Sequence, residues 1–110
     1  MKYALSVLHG PDIPASQQRT EGLAAALCAA GHTLERVFFY GEGTRIGLPE
    51  ASAAQHTWAT LADTGKTELA VCSASAERHG VHRSPAPFVF AGLGALMEAG
   101  FECDRIITCV

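Results

Sequence analysis

The chain has 110 residues, of which 48% are hydrophobic and 17% are charged. A chain of this length buries about two-thirds of its surface on folding, so we expect a single globular domain over residues 1–110. The formal net charge is −3, and the eight lysines and arginines are scattered. Phosphate binding requires clustered positive charge, so we expect no direct contact with nucleic acid.

Strands and helices alternate along the chain. The segments predicted as strands are short and rich in apolar residues, and the helical segments carry apolar residues three and four positions apart. Ser16 is the expected cap of the first helix. In chain order we predict a strand over 2–8, a helix over 16–30, a strand over 33–40, a helix over 53–63, a strand over 67–72, a short helix over 73–79, a helix over 91–99 and a last strand over 104–110.

This alternation implies a mostly parallel sheet with helices on both faces, a three-layer α/β/α sandwich of flavodoxin-like type. We expect Trp58 and the aromatic run 38–40 in its core. Sites in such sheets form at the carboxyl ends of the strands. Cys72 ends the third predicted strand and Cys109 lies near the end of the last. The two thiols are therefore expected at one edge, at a separation that strand order decides.

The first residues do not resemble a targeting signal. The opening MKYALSVLHGPD has a short apolar run and no small-residue cleavage site, unlike a secretory signal peptide. No apolar stretch approaches the length of a membrane span. The four cysteines lack the spacing of a secreted disulfide framework. We therefore expect a cytoplasmic protein with free thiols and no membrane partner.

Cys72 is the main candidate for chemistry. A thiol at the start of a helix lies among unpaired backbone N–H groups, and the helix dipole there favours the thiolate over the thiol. The small residues 73–76 leave room for another molecule. Arg78 and His79 lie about two turns further along, so they support an anionic donor or partner by charge rather than by contact. The alternative is a buried cysteine that fills the core.

The other cysteines and histidines have weaker interpretations. Cys109 is either a second relay thiol, a resolving cysteine or a passive thiol, whereas Cys28 and Cys103 are expected to be structural. His79 and His82 have metal-like spacing, but a glycine interrupts any helix that would align them. Since no Cys-x-x-Cys motif is present, we expect no metal site.

A glycine pair and three apolar residues lie near the predicted fourth helix. Gly92-x-Gly94 has no predicted strand before it, so we interpret it as a device for close helix packing rather than nucleotide binding. Val89, Phe90 and Leu93 are expected on outer helix faces, where they belong either to the core or to a subunit interface.

Five short motifs occur in an order and spacing that resemble one known family. They are VFFY at 37–40, W..L at 58–61, L..C.A...R.GV at 69–81, GLG.L.EA at 92–99 and DR at 104–105. Together they span nearly the whole chain, and they are similar to the DsrE/TusD-like family of sulfur-relay proteins.

The resemblance implies a role for Cys72. In this family the matching cysteine accepts sulfane sulfur as a persulfide from a donor protein and passes it to an acceptor carrier, without a cofactor. Family members typically form a heterohexamer from two copies each of three related sister subunits. One branch serves tRNA 2-thiouridine formation and another serves dissimilatory sulfur oxidation, and the sequence leaves both open.

The chain departs from the family pattern at three places. The segment after Gly80, VHRSPAPFVFA, is shorter and less acidic than usual, His79 stands where a second arginine is common, and GPDIPASQQ varies internally. Three alternatives remain: a non-catalytic scaffold subunit of such a complex, a flavodoxin-like small-molecule binder, and a homo-oligomer in place of a hetero-oligomer.

Overall fold

The computed structural model describes all 110 residues. Five strands form one parallel sheet in the order β4-β3-β2-β1-β5, so the predicted parallel α/β fold is confirmed. None of the helices combines the length and apolarity that crossing a lipid bilayer requires. The elements are β1 (Lys2–Val7), α1 (Pro14–Ala29), β2 (Thr33–Phe39), two 3₁₀ segments (Gly41–Gly47 and Pro49–Ala51), α2 (Ser52–Gly65), β3 (Glu68–Cys72), α3 (Ser73–Arg78), β4 (Val89–Ala91), α4 (Gly94–Glu102) and β5 (Arg105–Cys109).

The two faces of the sheet are covered unequally. On the first face, α1 and α2 pack over a cluster of 17 buried residues. Phe39 and Trp58 lie in this cluster, as predicted, with ring centroids 5.6 Å apart and an edge-to-face arrangement. On the second face, α4 packs alone over a cluster of three buried residues. That smaller cluster consists of Phe38, Ala70 and Cys72.

The largest difference from the prediction lies between α3 and α4. Val89–Ala91 form a short edge strand that pairs in parallel with β3, where we predicted no strand. Val89 and Phe90 therefore lie on a strand rather than on a helix, and Leu93 is the N-cap of α4. The pair Gly92-x-Gly94 does follow a strand, contrary to our premise. A three-residue strand is too short for periodicity to indicate it.

Two helix starts also differ from the prediction. Ser16 does not cap α1: the helix begins at Pro14, and its N-cap, Ile13, makes no side-chain cap. Proline is favoured at the first helical position because the N–H it lacks has no partner there. The last helix covers Gly94–Glu102 instead of 91–99, because β4 and the glycine pair occupy the residues before it.

The 41–47 segment lies across the carboxyl edge of the sheet. A Cβ atom on Gly43 would overlap the carbonyl oxygen of Val7 at the end of β1. Only glycine permits this close approach of two backbones. The segment consequently forms one wall of the edge at which Cys72 and Cys109 lie.

Candidate functional site

Cys72 occupies the junction between β3 and α3. It is the last residue of the strand and the N-cap of the helix, with extended backbone angles of φ −61° and ψ 114°. The first backbone N–H groups of α3 therefore lie directly after Cys72 and have no acceptor within the helix. The residue is only 3% exposed. The sequence located the thiol correctly, and the structure adds that it is covered.

The β4–α4 junction lies beside Cys72. Ala91 is the register partner of Cys72 on the neighbouring strand, and the Ser73 hydroxyl donates a hydrogen bond of 3.4 Å to the Ala91 carbonyl. Ser73 and Ala74 are exposed beside it. The side chains that pack against this buried cluster are Tyr40, Ala91, Ala95 and Leu96. Residues of β4 and α4, together with Tyr40, therefore contribute to the cover of the cluster in which Cys72 is buried.

The charged residues expected to support Cys72 lie at the far end of α3. Arg78 donates to the Ser75 hydroxyl at 3.4 Å, and Nδ1 of His79 lies 3.8 Å from the Glu42 carboxylate. Neither forms a hydrogen bond or ion pair with Cys72. Both residues instead hold the end of α3, and His79 connects it to the 41–47 segment.

An ion-pair network that the sequence did not indicate extends this connection. Arg45 lies between two carboxylates, with Nε 2.8 Å from Glu42 and a terminal nitrogen 3.0 Å from Asp12. The hydrogen bond to Arg45 holds the pKa of Asp12 below its usual value, and the same bond raises the pKa of Arg45. The adjoining cavity, of about 360 Å³, is lined by Arg45, Asp12 and Glu50 among apolar residues. Since carboxylates already match the arginine charge, this cavity does not favour an anionic ligand.

Cys109 lies at the same edge but faces the other way. Cys109 is the register partner of Val7, Val7 of Phe39, and Phe39 of Val71. These four residues therefore form one row across the sheet. Side chains alternate between faces along a strand, so Cys109 points to the α1–α2 face, whereas Cys72, one residue beyond Val71, points to the α4 face. Three interstrand spacings put the strands that carry the two thiols about 14 Å apart. The structure does not bring them together, and Cys109 as a relay thiol stays a prediction.

A buried polar pair, His9 and Thr20, lies near Cys109, whose thiol is 4.0 Å from the Ile107 carbonyl oxygen. Cys109 is 9% exposed and lines a cavity of about 260 Å³. Burial raises the pKa of the Cys109 thiol, and the neighbouring Thr20 hydroxyl lowers it in part. Thr20 Oγ1 is 2.7 Å from Nε2 of His9, whose Nδ1 is 3.0 Å from the Gly10 carbonyl. Sequence reasoning missed His9 and Thr20 because no motif links them to Cys109.

The remaining cysteines lie away from this edge. Cys28 packs at the margin of the main core, and Cys103 precedes β5 at the amino edge, where burial raises the pKa of its thiol. All four cysteines are unpaired. The structure contains no group of three His, Cys, Asp or Glu residues placed to hold a metal ion. Cys103 and Cys109 do not meet, because they lie at opposite ends of β5. The His79 ring lies beside the carboxylate of Glu42 rather than beside a cysteine.

These observations define a class: a small protein with an open parallel α/β sheet and free thiols at its carboxyl edge. A model of the DsrE/DsrF-like family matches residues 1–109. The chain belongs to this family, and the resemblance drawn from the five motifs is confirmed.

Relatives with assigned names cover nearly the whole chain. The putative sulfurtransferase DsrE of Allochromatium vinosum is 30% identical over 126 aligned positions, with 97% of each chain covered. The sulfurtransferase TusD of Cronobacter sakazakii is 36% identical over 129 positions, covering 97% of this chain and 98% of the relative. Both alignments are longer than the 110-residue chain, so both relatives carry residues that this chain lacks.

Solved structures show the same fold. The crystal structure of the ychN protein from E. coli superimposes with a TM-score of 0.78 at 19% identity, covering 98% of this chain and 99% of that one. The BT1422 protein from Bacteroides thetaiotaomicron gives a TM-score of 0.66 at 14% identity, covering 96% and 93%. At these identities the likeness concerns the fold alone.

Proposed function

We propose that this chain is a sulfurtransferase subunit that carries sulfane sulfur as a persulfide on Cys72. Family membership supports this proposal, as do relatives at 30% and 36% identity that are named sulfurtransferases. The observation that carries it is the position of Cys72, which ends a strand at the carboxyl edge and opens a helix whose first residues are small.

The proposed transfer is an exchange at sulfur. The Cys72 thiol loses its proton, and its thiolate attacks the outer sulfur of a donor persulfide, R–S–S⁻. A new S–S bond forms on Cys72, the donor S–S bond breaks, and the donor leaves as R–S⁻, which takes up a proton. An acceptor thiolate then attacks the outer sulfur, and Cys72 leaves. In this proposal the first N–H groups of α3, which have no acceptor within the helix, stabilise the negative outer sulfur. Neither step changes the redox balance, so neither requires a cofactor.

Transfer requires access to a residue that is 3% exposed. We infer that the β4–α4 junction moves aside when a partner docks. The strand β4 has three residues and pairs only with β3. The junction residues Gly92 and Gly94 have open space around their Cα atoms. Few contacts therefore oppose this displacement, whereas β3 and its neighbours stay in place.

We propose that related sister subunits pack on the α4 layer, in a hetero-oligomer such as a hexamer. Leu93, Met97 and Phe101 recur every four residues and are 50%, 65% and 90% exposed. Val89 and Ile106 extend this apolar surface. Contiguous exposed apolar surface is typical of protein–protein contacts.

Donor and acceptor carrier proteins complete the relay, which we place in the cytoplasm, where unpaired thiols persist. The tRNA-thiolation and sulfur-oxidation branches remain alternative destinations of the sulfur.

The burial of Cys72 favours one alternative function, that of a scaffold subunit that performs no chemistry. The two functions are separated by incubating the chain with glutathione persulfide and resolving each cysteine peptide by mass spectrometry. The relay predicts one added, reducible sulfur on the Cys72 peptide. In the assembled complex it predicts loss of transfer with Cys72→Ser and normal transfer with the control Cys28→Ser. Full transfer by the Cys72→Ser complex would establish the scaffold instead.

A further inference from the structure

We propose that Arg36 is a positioning residue for the Cys72 site: it fastens α4 to the sheet and thereby sets how often the Cys72 thiol opens to a donor. The importance of that access rests on the proposed function. The fastening itself rests on the contacts of Arg36, and it can be tested without any sulfur chemistry.

Arg36 lies on β2 beneath α4, and all three nitrogens of its guanidinium have partners. Nε and one terminal nitrogen donate to the same carboxylate oxygen of Glu68, at 3.1 and 2.9 Å, and Glu68 is the register partner of Arg36 on β3. The other terminal nitrogen donates to the Ala95 carbonyl in the first turn of α4 and lies 3.9 Å from the Glu98 carboxylate. The Arg36 side chain is only 13% exposed. One cation therefore joins two strands to the helix above them.

These bonds are the only polar contacts between α4 and the sheet. No other side-chain hydrogen bond or ion pair links a strand to residues 94–102, and the backbone bonds of the helix stay within it and its flanking residues. The apolar attachment is also small, because Ala99 is the one buried residue of α4. Hydrogen bonds from a charged donor are stronger than neutral ones. Arg36 consequently supplies a large part of what holds α4 in place.

The fastening reaches Cys72 through α4 and not through direct contact. Side chains alternate between faces along a strand, so Glu68, Ala70 and Cys72 of β3 all point towards α4. Cys72 lies four residues beyond Glu68, about 13 Å at the usual rise per residue. Ala95, which accepts from Arg36, also packs against the buried cluster that contains Cys72. Movement of α4 away from Arg36 would therefore uncover that cluster.

The contacts of Arg36 allow α4 to open without leaving a charge unpaired. Glu68 is 45% exposed and Glu98 is 68% exposed, so water already reaches both carboxylates. When α4 moves, Arg36 keeps its two bonds to Glu68 on the sheet. Opening then breaks one charge-assisted hydrogen bond and one long, exposed ion pair, of which the second contributes little. Such a contact holds α4 closed at rest and yields when a partner docks.

The test measures access to Cys72 in the full chain. Iodoacetamide alkylation, resolved by cysteine peptide, would compare the wild type with Arg36→Met, which keeps an unbranched stem and removes the guanidinium. We expect Cys72 to react about tenfold faster in this variant, as for the loss of one hydrogen bond from a charged group, while Cys28 on the other face keeps its rate. The matched control Arg19→Met removes an arginine of α1 that donates to the Ser16 hydroxyl, and it should change neither rate.

Hydrogen exchange separates the opening of α4 from general destabilisation. In Arg36→Met the backbone amides of α4 should lose protection, whereas those of α1 should keep it. Glu98→Gln changes only the long, exposed pair, so its Cys72 rate should stay within about twofold of the wild-type value. An unchanged Cys72 rate in folded Arg36→Met, or equal acceleration at Cys72 and Cys28, overturns the proposal.

Arg36→Lys covers the case in which Arg36→Met does not fold. Lysine keeps the charge and the stem, but its single ammonium does not reproduce the forked geometry that bonds two elements at once. We expect the Cys72 rate of Arg36→Lys to exceed the wild-type rate several-fold, and equal rates overturn the proposal. A Cys72 that takes no sulfur from glutathione persulfide overturns the proposed function alone, because the alkylation rates do not depend on sulfur transfer.

Discussion

Substituting Leu96 by alanine should expose Cys72 by loosening α4. Leu96 is partly buried and packs against the cluster that contains Cys72. A fully buried Leu→Ala change costs about 2–5 kcal/mol, so we expect roughly 1–2 kcal/mol for this partly buried side chain. If α4 opens separately from the rest of the fold, its open fraction then rises about 5–30-fold. The alkylation rate of Cys72 should rise by the same factor.

The matched control is Leu61→Ala. Leu61 is also partly buried, but it lies on α2 and packs against the main core on the other face. Peptide-resolved alkylation by iodoacetamide at several reagent concentrations gives the Cys72 rate in each variant, and thermal melts give the change in global stability. We expect acceleration in Leu96→Ala alone. Equal acceleration in both variants would mean that Cys72 reacts only after global unfolding, and it would refute local opening at the β4–α4 junction.

Three further changes test other parts of the structure. Gly43→Ala should lower the free energy of unfolding by about 1–3 kcal/mol, because the added Cβ overlaps the β1 carbonyl. The control Gly22→Ala, in open space within α1, should raise the free energy of unfolding by about 0.5–1 kcal/mol. Urea melts would measure both variants, and equal effects would contradict the interpretation of Gly43. The pKa of Asp12 is lowered in the fold by Arg45, so its ion pair stabilises the protein above the unfolded-state pKa and this contribution is lost as pH falls through the lowered pKa. Asp12→Asn should therefore flatten the acid limb of a pH series of melts, and an unchanged limb would exclude this pair as its cause. Phe101→Asp should leave the melting temperature of the isolated chain unchanged, because the side chain is 90% exposed, yet weaken assembly with partner subunits in size-exclusion chromatography; intact assembly would place the interface elsewhere.

The position of Cys72 at a strand–helix junction could be predicted because the parts of that junction are adjacent in sequence. The apolar run of β3, the cysteine and the small residues of α3 form one continuous stretch, 68–78, and local pattern is sufficient for such an arrangement. The burial of Cys72 was one of two alternatives that the sequence left open, because the neighbouring strand β4 is too short to show a period. The sequence consequently indicated the thiol and its junction but not the layer above it.

The arrangement of polar residues near Cys109 could not be predicted because they meet only through strand order. His9 and Cys109 become neighbours when β5 pairs with β1 instead of β4, and Thr20 joins them from the second turn of α1. The pair of Arg45 with Asp12 has the same origin, because Asp12 lies in the distant loop between β1 and α1, whereas Glu42 belongs to the same segment as Arg45. Chain periodicity predicts which segments are strands and helices, whereas convergence of distant polar groups depends on the topology.

Strand order also affects the sequence of events during synthesis. The strand β1 is paired on one side by β5, and Val7 and Cys109 stand level in that pairing although almost the whole chain separates them. While the chain emerges from the ribosome, β1 can pair with β2 early, but its other edge stays unpaired until β5 is available. A nascent chain shorter than about 105 residues therefore presents an open sheet edge that can pair with other chains. The last strand both closes this edge and brings Cys109 near the polar pair of His9 and Thr20.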